Sequence, residues 1–154
     1  MIQKPSRLAI ALTYLGAIPF LIAAFIGLSP YINIPESLGG EIVFSGFKAK
    51  TLIHTYAVVI LSFLAGIQWG ISLNHDKPNK YLMASNLLAI LAWFSLMAFA
   101  SKLAISFLLC GFIIALLVDR VAYKNQLIPT WFWQLRKKIS LIVCVSFLIV
   151  LLAT

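Results

Sequence analysis

Side chains able to do chemistry are scarce inside the apolar stretches of this chain, and those few bound its functions. His54, Gln68, Ser85, Asn86 and Asp119 sit within long aliphatic and aromatic runs, and Arg120 follows Asp119 directly. Amides and an imidazole in such surroundings can hold a quinone headgroup, a proton or a small solute, or can hydrogen-bond a neighbouring helix. Gln68 and Asn86 fall at matching depth in successive runs, so a bond between adjacent helices, worth about 0.6–2 kcal/mol, is the simpler expectation. Asp119 is different in kind. A carboxylate at that depth needs a cation, and Arg7, Arg136 and Lys137 are available beyond its neighbour Arg120, which can snorkel outward. A clamp fixing one helix against another is favoured over a proton relay.

Other chemistries are excluded by what the chain lacks. It holds no CxxC, no HExxH and no glycine-rich phosphate loop. Its two histidines, His54 and His75, fall at opposite ends of one apolar run, too far apart to ligate one haem or metal ion together. Cys110 and Cys144 differ in depth by about 10 Å at helical rise, so they are expected to be unpaired packing residues. No catalytic or metal-binding residue is expected. A quinone or a lipid is the only ligand class the polar residues suggest.

The elements that carry these residues are membrane spans. Of 154 residues, 62% are hydrophobic and only 10% charged, too little polar surface for a soluble domain of this size. Five continuous apolar runs cover 8–28, 51–73, 81–100, 103–123 and 139–153. A hydrocarbon core of about 30 Å takes roughly 20 helical residues, and within lipid only a helix or a closed barrel satisfies its own backbone. The runs do not alternate, so the fold class is all-α: one domain, 1–154, forming an integral bundle of five transmembrane helices with a short cytoplasmic interfacial helix. Pro19 should kink the first span, which is too long for a signal peptide's apolar region. The fifth run is short and must recruit part of 131–138 or lie in a thinned bilayer.

Basic residues set the topology. Nine of the twelve lie on one side (Lys4, Arg7, Lys77, Lys80, Arg120, Lys124, Arg136, Lys137, Lys138) and three on the other (Lys48, Lys50, Lys102). The positive-inside rule then makes the N-terminus cytoplasmic and the C-terminus periplasmic. The net charge of +8 is dispersed along membrane boundaries, so it does not signal nucleic-acid binding.

Two further patterns concern packing and the interface. Ser62, Gly66 and Gly70 recur every four residues beside Trp69, a small-residue stripe expected to seat another helix of the same bundle. The segment 125–138, NQLIPTWFWQLRKK, reads as a helix lying in the cytoplasmic interface, begun near Pro129, held by Trp131 and Trp133, and ending in Arg136, Lys137 and Lys138. It offers a docking surface for a partner subunit or anionic lipid. The loop 29–50 should cap the outer face, anchored by Tyr31, Phe44 and Phe47. The turn at Ser101 and Lys102 makes spans three and four an antiparallel hairpin.

Leu15-Gly16 followed by Pro19-Phe20, the stretch YAVVILSFLAGIQWG from Tyr56 to Gly70, LLVDR from Leu116 to Arg120, and Pro129-Thr130-Trp131 with a following Leu-Arg resemble the small five-span proteins called domain of unknown function 3429, or transmembrane protein 69-like. The resemblance covers nearly the whole chain. It implies a multi-pass protein of the bacterial inner membrane, in a family associated with mitochondria in eukaryotes, and brings no catalytic residues with it. Two function classes follow. The favoured one is a non-enzymatic accessory or assembly subunit of a larger, respiratory-type membrane complex, with lipid and another membrane subunit as partners. The alternative is a small carrier, channel or quinone-binding protein using His54, Gln68, Asn86 and Asp119; an enzyme ranks third.

Overall fold

In the computed structural model of the protein, which describes residues 6–31, 46–74 and 79–153, the first apolar run is divided into two helices, α1 (Arg7–Leu15) and α2 (Ile18–Leu28). Proline is the cause. Pro19 has no N–H to give the carbonyl of Leu15, and its ring crowds that position. Beyond the break, the amides of Phe20 and Leu21 both turn to Ala17 O, at 3.1 and 3.2 Å. The carbonyl of Gly16 is instead served from the next helix, where the Tyr56 hydroxyl donates to it at 2.9 Å.

The remaining elements are α3 (Gly46–Asn74), α4 (Lys80–Ser95), α5 (Lys102–Lys124) and α6 (Thr130–Ala153), with 3₁₀ turns at Ser29–Tyr31 and Leu96–Ala98. No strand occurs among the described residues. Helix α3 begins five residues before the apolar run. Its 29 residues reach about 43 Å, so the turn bearing Lys48 and Lys50 extends past a 30 Å core.

Short connections dictate the neighbours. Between α4 and α5 the chain reverses through Ala100, in the left-handed region at φ 52°, and Ser101 then caps α5, its hydroxyl accepting from the Ala104 amide at 3.1 Å. Helix α5 ends in a Schellman motif. Gln126 is left-handed at φ 59°, Leu127 N donates to Ala122 O at 2.9 Å, and Leu127 packs on the small cluster around Ala122, Tyr81 and Ile128. Pro129 follows, and α6 starts at the next residue.

From α2 onward each helix touches its successor around a ring that closes where α2 meets α6; α3 also contacts α5 across it, and α1 lies against α6. Phe20, Phe112 and Phe147 fill the middle, ring centroids 5.6–5.9 Å apart. The outside is apolar as well: Phe25, Phe63, Trp93, Phe107 and Leu148, on five different helices, are all exposed. A soluble bundle hides such residues, whereas lipid accepts them.

Four stretches are long and apolar enough to cross a membrane: Arg7–Leu28, Lys48–Leu73, Lys80–Ala98 and Lys102–Lys124. Helix α6 has the length, at 24 residues, but carries Arg136, Lys137 and Lys138 and is not among the four. One expectation is corrected here. The segment 125–138 does not make a helix of its own; from Thr130 it is the opening of α6, because nothing between Trp131 and Ile139 interrupts helical hydrogen bonding and a run of basic residues does not break a helix. Most of the outer loop with its Phe44 anchor, the Phe47 side chain, His75, Lys4 and Lys77 lie outside the described residues.

Candidate functional site

The polar centre of the bundle joins α5 to α6. Arg136 Nε donates to Asp119 Oδ2 at 2.7 Å, with both side chains under a tenth exposed. Of the cations within reach by spacing, Arg136 is the partner because the turn at 125–129 folds the first two turns of α6 back along the last turns of α5. Arg120, next to the acid, points outward and is exposed. Gln68 on α3 lies beside Asp119, and its Nε2 donates to Ala115 O at 3.3 Å. Three helices thus meet on one carboxylate.

The ion pair uses only one guanidinium edge. Arg136 Nη2, Gln68 Oε1 and Ser140 Oγ, one turn further along α6, are buried without hydrogen-bond partners. Arg136 and Ser140 border a cavity of about 240 Å³, whose other walls include Leu12, Phe20, Phe63 and Phe112. The arrangement can hold charge in a dry environment and can offer two N–H or O–H donors to an acceptor. Among the described residues no three of His, Cys, Asp and Glu come together to hold a metal ion.

The other polar residues are dispersed. Asn86 faces outward from α4 and bonds only its own helix, Nδ2 to Leu82 O at 2.9 Å, so Gln68 and Asn86 do not pair. Its neighbour Ser85 makes the contact between α4 and α3, donating to Ala65 O at 2.7 Å. A single step along a helix turns a side chain by about 100°, and equal depth does not fix direction. His54 is wholly buried, with Nε2 3.1 Å from Ser95 O and its ring edge-on to Phe99. It secures α3 to the end of α4, far from the ion pair. Cys110 and Cys144 are free thiols.

The small-residue stripe is also corrected. A side chain added at Gly66 or Gly70 would meet nothing within 4 Å, so Ser62, Gly66 and Gly70, with Trp69, lie on the outside of α3 rather than against another helix of the bundle. The glycine that does permit close packing is Gly111 on α5, where an added Cβ would come 2.6 Å from Leu61 Cδ2 and 3.2 Å from Leu91 Cδ2. The sequence did carry a signal for Gly111: Ala115 follows it by four residues and Ala104 precedes it by seven, a small-residue face on α5 that is buried.

The interfacial residues form a belt at the α5–α6 corner. Tyr123 and Trp133 stack at 5.8 Å, Lys137 Nζ lies 5.4 Å over the Trp133 ring, and Asn125 Nδ2 donates to Tyr81 Oη at 2.9 Å. Trp131 packs against the main core, and Lys138 is exposed.

An apolar exterior, four span-length helices and a sealed ion pair define a transmembrane helical bundle. The chain belongs to the family described as Protein of unknown function (DUF3429), which matches residues 5–152. It is 28% identical over 134 residues to Transmembrane protein 69 of Xenopus tropicalis, a match covering 83% of this chain and 51% of that protein. The chain therefore spans about half the length of the curated relative it matches. No solved structure matches it.

Proposed function

We propose that this protein is a non-enzymatic accessory or assembly subunit of a larger complex in the bacterial inner membrane. The observation that carries the reading is the open stripe Ser62–Gly66–Gly70 on α3. Small residues at that spacing let a second helix backbone approach closely, and the bundle itself leaves the space empty. The occupant proposed is a helix of another membrane subunit.

In this reading α6 is the fifth span. Its 24 residues reach about 36 Å, its outer face carries Leu141, Val145, Leu148 and Leu152, and the buried one of its three cations is neutralised by Asp119. Lys137 and Lys138 stay exposed at the rim beside Trp133, where an interfacial anchor belongs. The nine-to-three distribution of basic residues orients the N-terminus to the cytoplasm and the C-terminus to the periplasm. Reporter fusions at Lys102 and Thr154 should be phosphatase-active and one at Gln126 fluorescent; phosphatase activity at Gln126 reverses the orientation.

Purification in mild detergent, wild type beside Gly66→Leu, tests the function. A stoichiometric membrane partner should accompany the wild type and be lost from the variant, while the two proteins freed of partner melt at the same temperature. A wild-type protein that purifies alone, or only as a homodimer, sinks the subunit reading.

A further inference from the structure

Two buried donors without partners face one cavity. Arg136 is 7% exposed and Ser140 2%, and neither Arg136 Nη2 nor Ser140 Oγ has a hydrogen-bond partner. Ser140, like Thr51, departs from the other helical hydroxyls. Thr13, Thr55, Ser106 and Ser146 each donate to the carbonyl four residues back, at 2.7–2.9 Å, the usual resort of a helical hydroxyl in apolar surroundings. Both free donors border the same space of about 240 Å³.

Charge decides what would fill it. Arg136 is already neutralised by Asp119, so an anion in the cavity would add an unpaired negative charge in a low-dielectric site. A neutral carbonyl oxygen satisfies the same two donors at no such penalty. The remaining wall is apolar, Phe20, Phe63, Phe112 and Phe132 included. Leu12 and Phe63, also on that wall, are 56% and 64% exposed, so the cavity opens sideways on the apolar outside of the bundle. Pockets that enclose whole drug-sized molecules start at about 300 Å³. This one suits a single ring or an ester head, with an alkyl tail leaving past Leu12 and Phe63.

We propose that the cavity binds a neutral, membrane-soluble carbonyl compound whose carbonyl oxygen accepts from Arg136 Nη2 and Ser140 Oγ. A benzoquinone ring and an acylglycerol ester are the two membrane sources of such a group. The site shares no residue with the Ser62–Gly66–Gly70 face, so it holds or fails independently of the subunit reading.

Melting of the full chain in mild detergent tests the proposal, with decyl-benzoquinone, mono-oleoylglycerol and laurate as separate probes. One of the two neutral probes should raise the melting temperature by on the order of 5 °C at a hundredfold excess over its Kd. Protection by the quinone assigns the ring, and protection by the glyceride assigns the ester. Ser140→Val, compared with its own ligand-free melt, should bind about tenfold more weakly, and Val143→Phe, which puts a ring into the cavity while keeping both donor residues, should abolish the shift. If Ser140→Val does not fold, Val143→Phe supplies the same readout. No shift from either neutral probe, equal shifts in wild type and Val143→Phe, or equal protection by laurate overturns the proposal.

Discussion

Asp119 and Arg136, seventeen residues apart on consecutive helices, meet through a single 2.7 Å contact inside the bundle. The two members are not equivalent when one is removed. A carboxyl left alone can shed its charge by taking up a proton, whereas a guanidinium cannot release one. Asp119→Asn should therefore cost more than Arg136→Met, about 3 kcal/mol or more against a smaller loss, and the double variant should cost less than the sum. Thermal unfolding of all four proteins in one detergent checks this. Additive losses would mean that the contact contributes no coupling.

Gly111 and Gly66 should answer oppositely to the same replacement. Leucine at position 111 collides with Leu61 and Leu91, an overpacking that typically costs about 1–3 kcal/mol. Leucine at position 66 enters open space and should leave the melting temperature of the isolated protein unchanged. Equal destabilisation would put a bundle helix against both glycines.

Ser85→Ala should loosen α4 from α3. The Ser85–Ala65 bond is the only side-chain link between these helices in this part of the chain among the described residues, and such bonds are worth about 0.6 kcal/mol on average within membranes. Asn86→Ala, which breaks only an exposed bond within α4, should be close to neutral. The order of the two melting temperatures is the measurement, and its inversion counts against the assigned roles.

Gln126 occupies a left-handed position that glycine adopts without steric cost. Gln126→Gly should stabilise the α5–α6 corner by about 0.5–1 kcal/mol, read as a rise in melting temperature. A fall would show that the Gln126 side chain contributes more than its backbone strain costs.

Much of this architecture is legible in the sequence, for identifiable reasons. Continuous apolar runs bounded by Lys80, Lys102 and Lys124 mark helices because lipid permits little else, and Pro19 announces a kink because it has no N–H for the helical ladder, although the division into two helices goes further than that. The need of Asp119 for a cation follows from solvation alone. Direction is harder. Spacing places Ser62, Gly66 and Gly70 on one stripe but does not say whether that stripe faces in or out, since on a membrane protein both faces are apolar. The same ambiguity separates Ser85, which turns inward, from Asn86, which does not. Charge misleads at 136–138, where a basic run reads as a boundary although α6 passes through it unbroken.

The buried ion pair also bears on biosynthesis. A lone arginine at the centre of a membrane helix carries an insertion cost of about 2.5–3.5 kcal/mol, and a lone aspartate a similar one. Where α6 crosses the membrane as the proposed fifth span, it carries its arginine in the second turn and α5 its aspartate in the second-last, positions where the cost is smaller than at the centre but still falls on each helix alone. Joined by five residues, 125–129, the two can neutralise each other before either meets lipid alone. In that reading the last two helices are suited to leave the translocon as a hairpin, and a chain truncated after α5 would leave its acid with no counter-charge from α6.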